Sequence, residues 1–282
     1  MEGWWEHMPN QIRYRSGLDS TATINLDGDS LYVGTAPEIR SRMWSYTLGA
    51  HHLTGLTRNA REASCTLSAL DWQTLDKVEQ LLDADVAAKT PGRLETDSGW
   101  ACSALAVKSE PQTITPNLVE TNLTLVLLDG VWRRPKSMVL DPVTADSSRW
   151  LDLPFDLPCD LSSSRPSSKV VNPSLSASPI RLEIPGPVRN PQVTMAGNLY
   201  EVDVVVPAGS RLVVDGLARE IYMLSESGER TDCFAAGRRG NGRGGGTYCF
   251  EPLPAGVSEA NWPSGFTFTL TVYEERSAPP WV

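Results

Sequence analysis

The sequence predicts a mainly β protein in three parts. A first part of strands interrupted by one α-helix is expected over residues 1–140. An extended connector follows over 141–165, then a C-terminal β-sandwich over 166–282. Three observations carry this. One stretch alone has the apolar period of a helix. Nearly every other apolar run is short, alternates with period two and ends in a turn signal. A segment rich in Ser, Pro and Asp interrupts the chain near its middle.

The first runs, 22–26 and 30–34, flank Asp27-Gly28-Asp29, a hairpin signal. In 62–69, Ala63, Cys65, Leu67 and Ala69 alternate with Glu62, Ser64, Thr66 and Ser68, the pattern of a half-buried strand. Leu75, Val78, Leu81, Leu82 and Val86 then form one helical stripe, with Asp71 placed to cap it and Pro91-Gly92 to end it, so a helix is expected over 72–88. Strands over 93–97 and 100–107 flank Ser98-Gly99. A long strand over 118–128 puts Val119, Thr121, Leu123, Leu125 and Leu127 on one face.

Residues 141–179 hold 10 Ser, 6 Pro and 5 Asp with no Gly, and include the repeat Asp152-Leu153-Pro154-Phe155, Asp156-Leu157-Pro158-Cys159. Each Pro drives the residue before it to an extended state, hence the connector. Beyond it, strands are expected near 180–185, 192–196, 200–206, 210–215, 218–224, 247–251 and 266–274, with no helical pattern between them.

Composition excludes several function classes. Asp and Glu number 34 against 25 Arg and Lys, a net charge of −9 spread over both halves. Nucleic-acid affinity rests on phosphate neutralisation, so no specific nucleic-acid binding is expected. No apolar run reaches 18 residues, and Met1–Glu6 lacks the basic and apolar regions of a secretory signal, so neither membrane insertion nor export is expected. The five cysteines include no CxxC pair, which fits reduced thiols in a protein folded in a cytoplasm. Cys233 and Cys249 are the pair left open to bridging.

No enzyme is expected. Histidine occurs at positions 7, 51 and 52 only, and neighbouring strand residues such as His51 and His52 point to opposite faces, so no metal site is assigned. GxSxG, HExxH, Walker A and EF-hand patterns are absent. Gly240, Gly242 and Gly245 spell GxGxxG. Arg238-Arg239 precede them and an expected strand, Thr247–Phe250, follows, where a dinucleotide site needs a strand before and a helix after. The expectation is a surface loop over 236–246 with its arginines in solvent, and no cofactor. Carboxylate pairs such as Asp83 with Asp85, or Glu274 with Glu275, are not placed across a cleft by anything in the sequence.

Several phrases together resemble the distal tail protein of siphophages, the siphovirus-type tail component family. Arg61–Leu67 runs into the helix near Leu75–Leu82, Gly92-Arg93-Leu94 opens a hairpin, and the strand Asn122–Leu128 ends at Asp129-Gly130-Val131-Trp132. Leu153-Pro154-Phe155-Asp156-Leu157-Pro158 is similar to the family's aromatic-Pro-Asp connector with most aromatics replaced. Ile180–Pro185 followed by Gly186-Pro187-Val188-Arg189-Asn190-Pro191, then Leu212–Asp215, Leu253–Gly256 and the tail Val272–Trp281, resemble later phrases of the family.

The resemblance implies a non-enzymatic protein of the virion tail tip, assembled in the host cytoplasm. It implies a homohexameric ring built by the N-terminal domain over 1–140, a β-barrel or sandwich with one packed α-helix, and a galectin-like C-terminal sandwich facing outward. The implied partners are further copies of itself, the tail tube protein, the tail-tip hub and, in some members, receptor-binding proteins. Genome DNA crosses the ring, which suits an acidic wall; Asp27 and Asp29 are the candidates for that lumen. Trp132, Arg133 and Arg134, where the long strand ends, are candidates for the subunit interface. Residues 1–140 alone are expected to carry assembly. No His follows His52, so a galectin-type sugar site is not expected. The alternatives are a carbohydrate-binding adhesion module, suggested by nine Trp and a sandwich half, and a cell-wall hydrolase.

Overall fold

The computed structural model describes residues 11–142, 167–263 and 265–281. The protein is mainly β. Its strands in the first part are β1 (Ile12–Arg15), β2 (Thr23–Asn25), β3 (Leu31–Tyr32), β4 (Ser45–Leu48), β5 (Leu53–Thr57), β6 (Arg61–Ala69), β7 (Gly92–Thr96), β8 (Ala101–Thr115), β9 (Leu118–Leu127) and β10 (Trp132–Leu140). Two helices, α1 (Pro37–Arg40) and α2 (Trp72–Ala87), lie among them. The later strands are β11 (Ser167–Asn172), β12 (Ile180–Pro185), β13 (Val188–Arg189), β14 (Gln192–Met195), β15 (Asn198–Glu201), β16 (Val205–Val206), β17 (Arg211–Asp215), β18 (Glu220–Leu224), β19 (Arg230–Asp232), β20 (Gly256–Asn261) and β21 (Phe268–Arg276).

Two compact units result, Met1–Arg134 with Glu275–Val282, and Pro135–Glu274. The sequence reading instead places 1–140 and 166–282 on either side of the connector. From residue 143 to 166 that connector lies outside the described residues.

The first unit is a barrel. Its strands pair in the order β2-β1-β7-β8-β9-β6-β3, all antiparallel. The row closes because β3 returns to β2 through the Asp27–Tyr32 bridge, with the Val33 N–H donating to the Leu26 carbonyl at 2.9 Å. Closure removes the open sheet edges that would otherwise invite pairing. The alternation read in the sequence is the inside–outside alternation of the barrel: Ala63, Cys65, Leu67 and Ala69 face the core from β6, and Val119, Thr121, Leu123, Leu125 and Leu127 from β9. Trp100 and Trp132 are fully buried in the same unit.

Helix α2 packs against β6, β8 and β9. Asp71 caps it as expected, accepting from the Thr74 N–H at 2.7 Å and the Thr74 hydroxyl at 2.8 Å. Its buried stripe is Leu75, Val78 and Leu82, continued by Asp85 where the apolar pattern has Val86.

The second unit is a two-layer sandwich. One sheet runs β19-β18-β17-β12-β21-β10 and the other β11-β20-β14-β15. Between them lie Leu182, Ile184, Leu212, Leu270 and Val272 with Val170, Val193, Met195 and Trp262. Trp262 meets Phe268 edge-on at 5.0 Å between ring centres, and its indole N–H donates to the Phe266 carbonyl at 2.9 Å.

One expected strand is absent. Residues 247–251 form a turn, because the Asn198 side chain holds this segment in place of a ladder: its amide donates to the Tyr248 carbonyl and its oxygen accepts from the Tyr248 N–H. Strands β1, β4, β5, β10, β11, β13, β19 and β20, and the short α1, are not among the expected elements.

Candidate assembly surface

The sequence-predicted site residues are placed within the first unit. Asp27 is a closing piece of the barrel. Its Oδ2 accepts from the Ile12 N–H at 2.8 Å, and burial pushes its carboxyl above the ordinary range against the hydrogen bonds and the nearby Arg40 charge that pull it down. Asp29, two residues on, is exposed. Trp132 is fully buried. Arg133 bonds the Asp129 carboxylate and, at 2.9 Å, Glu275. Arg134 stacks on the Trp100 ring at 4.9 Å, as does Arg276 at the same distance. The structure therefore brings Arg133, Arg134 and Trp132 together around the chain's own end, and sets Asp27 and Asp29 apart in burial.

Other residues singled out in the sequence fall elsewhere. His51 and His52 stand at the turn of the β4–β5 hairpin. In the loop 236–246, Arg238 pairs with Glu201 at 3.1 Å and Arg239 lies over the Phe234 ring at 4.7 Å. Cys65, Cys102, Cys233 and Cys249 are free, and Cys159 lies outside the described residues. Burial pushes the Cys65 and Cys102 thiols up to about 12 and Cys249 to about 11. Among the described residues no three His, Cys, Asp or Glu side chains group as metal ligands, and no helix is long and apolar enough to cross a membrane.

The feature that sequence reading missed is the hairpin β4–β5. Among the described residues its two strands pair only with each other. The register sets Tyr46 opposite Leu56 and Leu48 opposite Leu53, with a bulge at Thr54, so all four apolar side chains share one face. Each is more than half exposed. Ser45, Thr47, Gly55 and Thr57 take the other face. A two-stranded sheet is marginal in water by itself, and an amphipathic one leaves its apolar face uncovered. The signal was present in the alternation Tyr46-Thr47-Leu48, a Gly49-Ala50 turn, then Leu53 and Leu56.

The hairpin is firmly rooted. The Arg61 guanidinium donates to the carbonyls of Glu38 and Ser41 at 2.9 and 2.8 Å, fixing the entry strand. Arg58 stacks on Trp44 at 5.1 Å and pairs with Glu275 at 2.8 Å. Gly130 packs against the root with φ +58°, and a Cβ there would stand 2.3 Å from the Asn59 carbonyl oxygen. Only glycine meets both demands. The arrangement presents a fixed apolar arm, which suits binding to another protein surface and supplies no reactive group.

No known family's profile matches the chain, and no curated protein does. Solved structures do. Over 94% of this chain and 99% of the other, the fold is similar to SPP1 Dit (gp 19.1), described as a paradigm of the hub adsorption apparatus in phages infecting Gram-positive hosts, with TM-score 0.58 and 10% identity. Over 96% of this chain, it is similar to a chain of the phage P2 baseplate in its activated conformation with Ca, covering 100% of that chain, with TM-score 0.58 and 7% identity. The corresponding Sr structure gives TM-score 0.55 and 8% identity over 96% and 99%.

Proposed function

The fold of this chain is that of phage distal tail and baseplate proteins, as the sequence resemblance led us to expect, and we propose that it serves as a structural component of a phage tail tip. On this reading it forms a homohexameric ring that joins the tail tube to the tail-tip hub and lets the genome pass. It performs no catalysis, and its place is in the virion. The observation that carries the reading is likeness over nearly the whole length of both chains, barrel and sandwich together, rather than over one common module.

The sandwich is the galectin-like outward domain in this account, without sugar binding of its own. Of the two lumen candidates, Asp29 is the one whose exposure suits an acidic wall; Asp27 serves the barrel seam. Of the three interface candidates, Arg133 acts indirectly in this account, since it shares Glu275 with Arg58 at the root of the hairpin. Negative-stain images of the full-length protein test the reading. Six-fold rings are expected. Particles without rings, together with binding of the full-length protein on a glycan array, would favour the adhesion-module alternative.

A further inference from the structure

The seam is the weakest join of the barrel. Strand β6 pairs with β9 along its whole length, from Arg61 with Leu127 to Ala69 with Val119. Strands β8 and β9 pair from Ala104 with Leu127 to Thr115 with Leu118. Between β2 and β3, among the described residues, the join is the Asp27–Tyr32 bridge and the Val33 N–H donating to the Leu26 carbonyl at 2.9 Å. Strand β3 has two residues, and they pair with Ala69 and Ser68 of β6. The side chains that hold this segment in the core are Leu26, Leu31 and Val33.

Asp27 stands in the join with its two carboxylate oxygens unequally served. Oδ2 accepts from the Ile12 N–H at 2.8 Å, which ties the turn to β1. Oδ1 is covered and has no hydrogen-bond partner. A covered oxygen without a donor costs little in a neutral carboxyl and much in a carboxylate. Charged and titratable groups face it from each neighbouring element. From α1, the buried Arg40 draws Asp27 toward its ionised form, while its Nε donates to the Thr35 carbonyl at 3.0 Å. From the β7–β8 turn, Asp97, which pairs with Arg13 of β1, opposes ionisation. From β6, the Cys65 thiol feels the Asp27 charge and is kept protonated by burial. In the turn itself Asp29 and Tyr32 are exposed. Burial outweighs the attractions and holds the Asp27 carboxyl above its ordinary range. Opening the turn gives Oδ1 to water and removes that cost.

We propose that residues 26–33 form a latch on the barrel, which the negative charge on Asp27 loosens and a proton on Asp27 closes. Loosening frees β3 from β2 while β6, β8 and β9 stay paired. The freed β2 is then an unpaired edge, of the kind that another strand can join. With the latch open the carboxyl titrates near its ordinary value of about 4, and with the latch closed it titrates higher. The closed latch therefore gains stability as pH falls through the closed-state value, and gains no more below about 4. The inference concerns a single copy and does not rest on the ring reading.

Hydrogen–deuterium exchange of the full-length protein tests it, read by mass spectrometry on peptides spanning 24–33 and, as a reference, 119–127. Rates are corrected for the pH dependence of the chemical step. Exchange in 24–33 is expected to be the faster, and to slow by up to tenfold per pH unit as pH falls from about 7 toward 4, while the reference does not follow. Asp27→Asn removes the charge and keeps an oxygen for the Ile12 N–H, so its exchange in 24–33 is expected to be independent of pH. Because that variant also takes a charge away from Arg40, Asp97→Asn gives a second reading. It removes the charge that opposes ionisation of Asp27, and the slowing is expected to move to lower pH. Exchange in 24–33 that ignores pH in the wild type overturns the proposal. So does a reference peptide that slows equally, a pH dependence that survives in Asp27→Asn, or one that Asp97→Asn leaves in place.

Discussion

Asp85 shows how far a single residue can be from what its sequence suggests. As a letter it is one of several carboxylates on a helix. In the structure it is fully buried and accepts hydrogen bonds from the Tyr14 and Ser16 hydroxyls at 2.7 Å each, and from the Gly17 and Leu18 amides at 3.2 and 3.0 Å. Burial pushes its pKa up, but these four donors outweigh it and leave the carboxyl below its ordinary value. Its depressed pKa therefore contributes stability that is present above the unfolded-state value of about 4 and is lost as pH falls through the folded value. Tyr14 works in the opposite direction. Burial and Asp85 raise its pKa, so its contribution holds below about pH 10 and is lost as pH rises through the folded value. Asp85→Ala, which strands two buried hydroxyls and two amides, is expected to cost about 3 kcal/mol in chemical denaturation. Asp85→Asn should recover part of that loss and flatten the acid limb of the stability curve. A variant as stable as the wild type would show that the network does not matter to folding. The partners lie 67 to 71 residues away in sequence, so no local pattern reveals them.

The elements divide into those that a local pattern specifies and those that only the fold explains. Helix α2 and strands β6 and β9 are legible because one face of each meets a core and the other does not; period alone reveals them. Asp71→Ala, which removes the cap of α2, should cost about 1 kcal/mol, read as a shift in the denaturation midpoint. The hairpin β4–β5 has the same period-two pattern, but its apolar side chains are exposed rather than packed in the barrel core. Sequence reading looks for cores and so passes over it. Replacing residues 45–57 with a short Gly-Ser turn should change stability by less than about 1 kcal/mol, because none of these side chains enters the core. A large loss of stability would mean that the arm is part of the unit rather than a surface of it. The expected strand at 247–251 fails for the converse reason: a side chain, Asn198, supplies the hydrogen bonds that a ladder would have made.

At the scale of the molecule, the mainly β character, with one long helix in the first part, was readable from the sequence, and the path of the chain was not. The last residues, Glu275–Val282, return to the first unit, where Glu275 pairs with both Arg58 and Arg133. Nothing in a run of letters at the C-terminus announces a partner more than 140 residues upstream. A fragment of residues 1–140 lacks Glu275 and leaves both arginines without it. Such a fragment is expected to unfold at lower denaturant than Glu275→Ala in the full chain, since it also loses Trp281, which lies under Arg40 at 5.5 Å. A fragment as stable as the barrel in the intact protein would contradict that ordering.

The central claim is that this chain builds a closed ring through its barrel. The mass of the purified full-length protein by light scattering tests it most directly. Six copies of 30.8 kDa predict about 185 kDa, independent of dilution over the working range. A single species of 30.8 kDa at every concentration would contradict it.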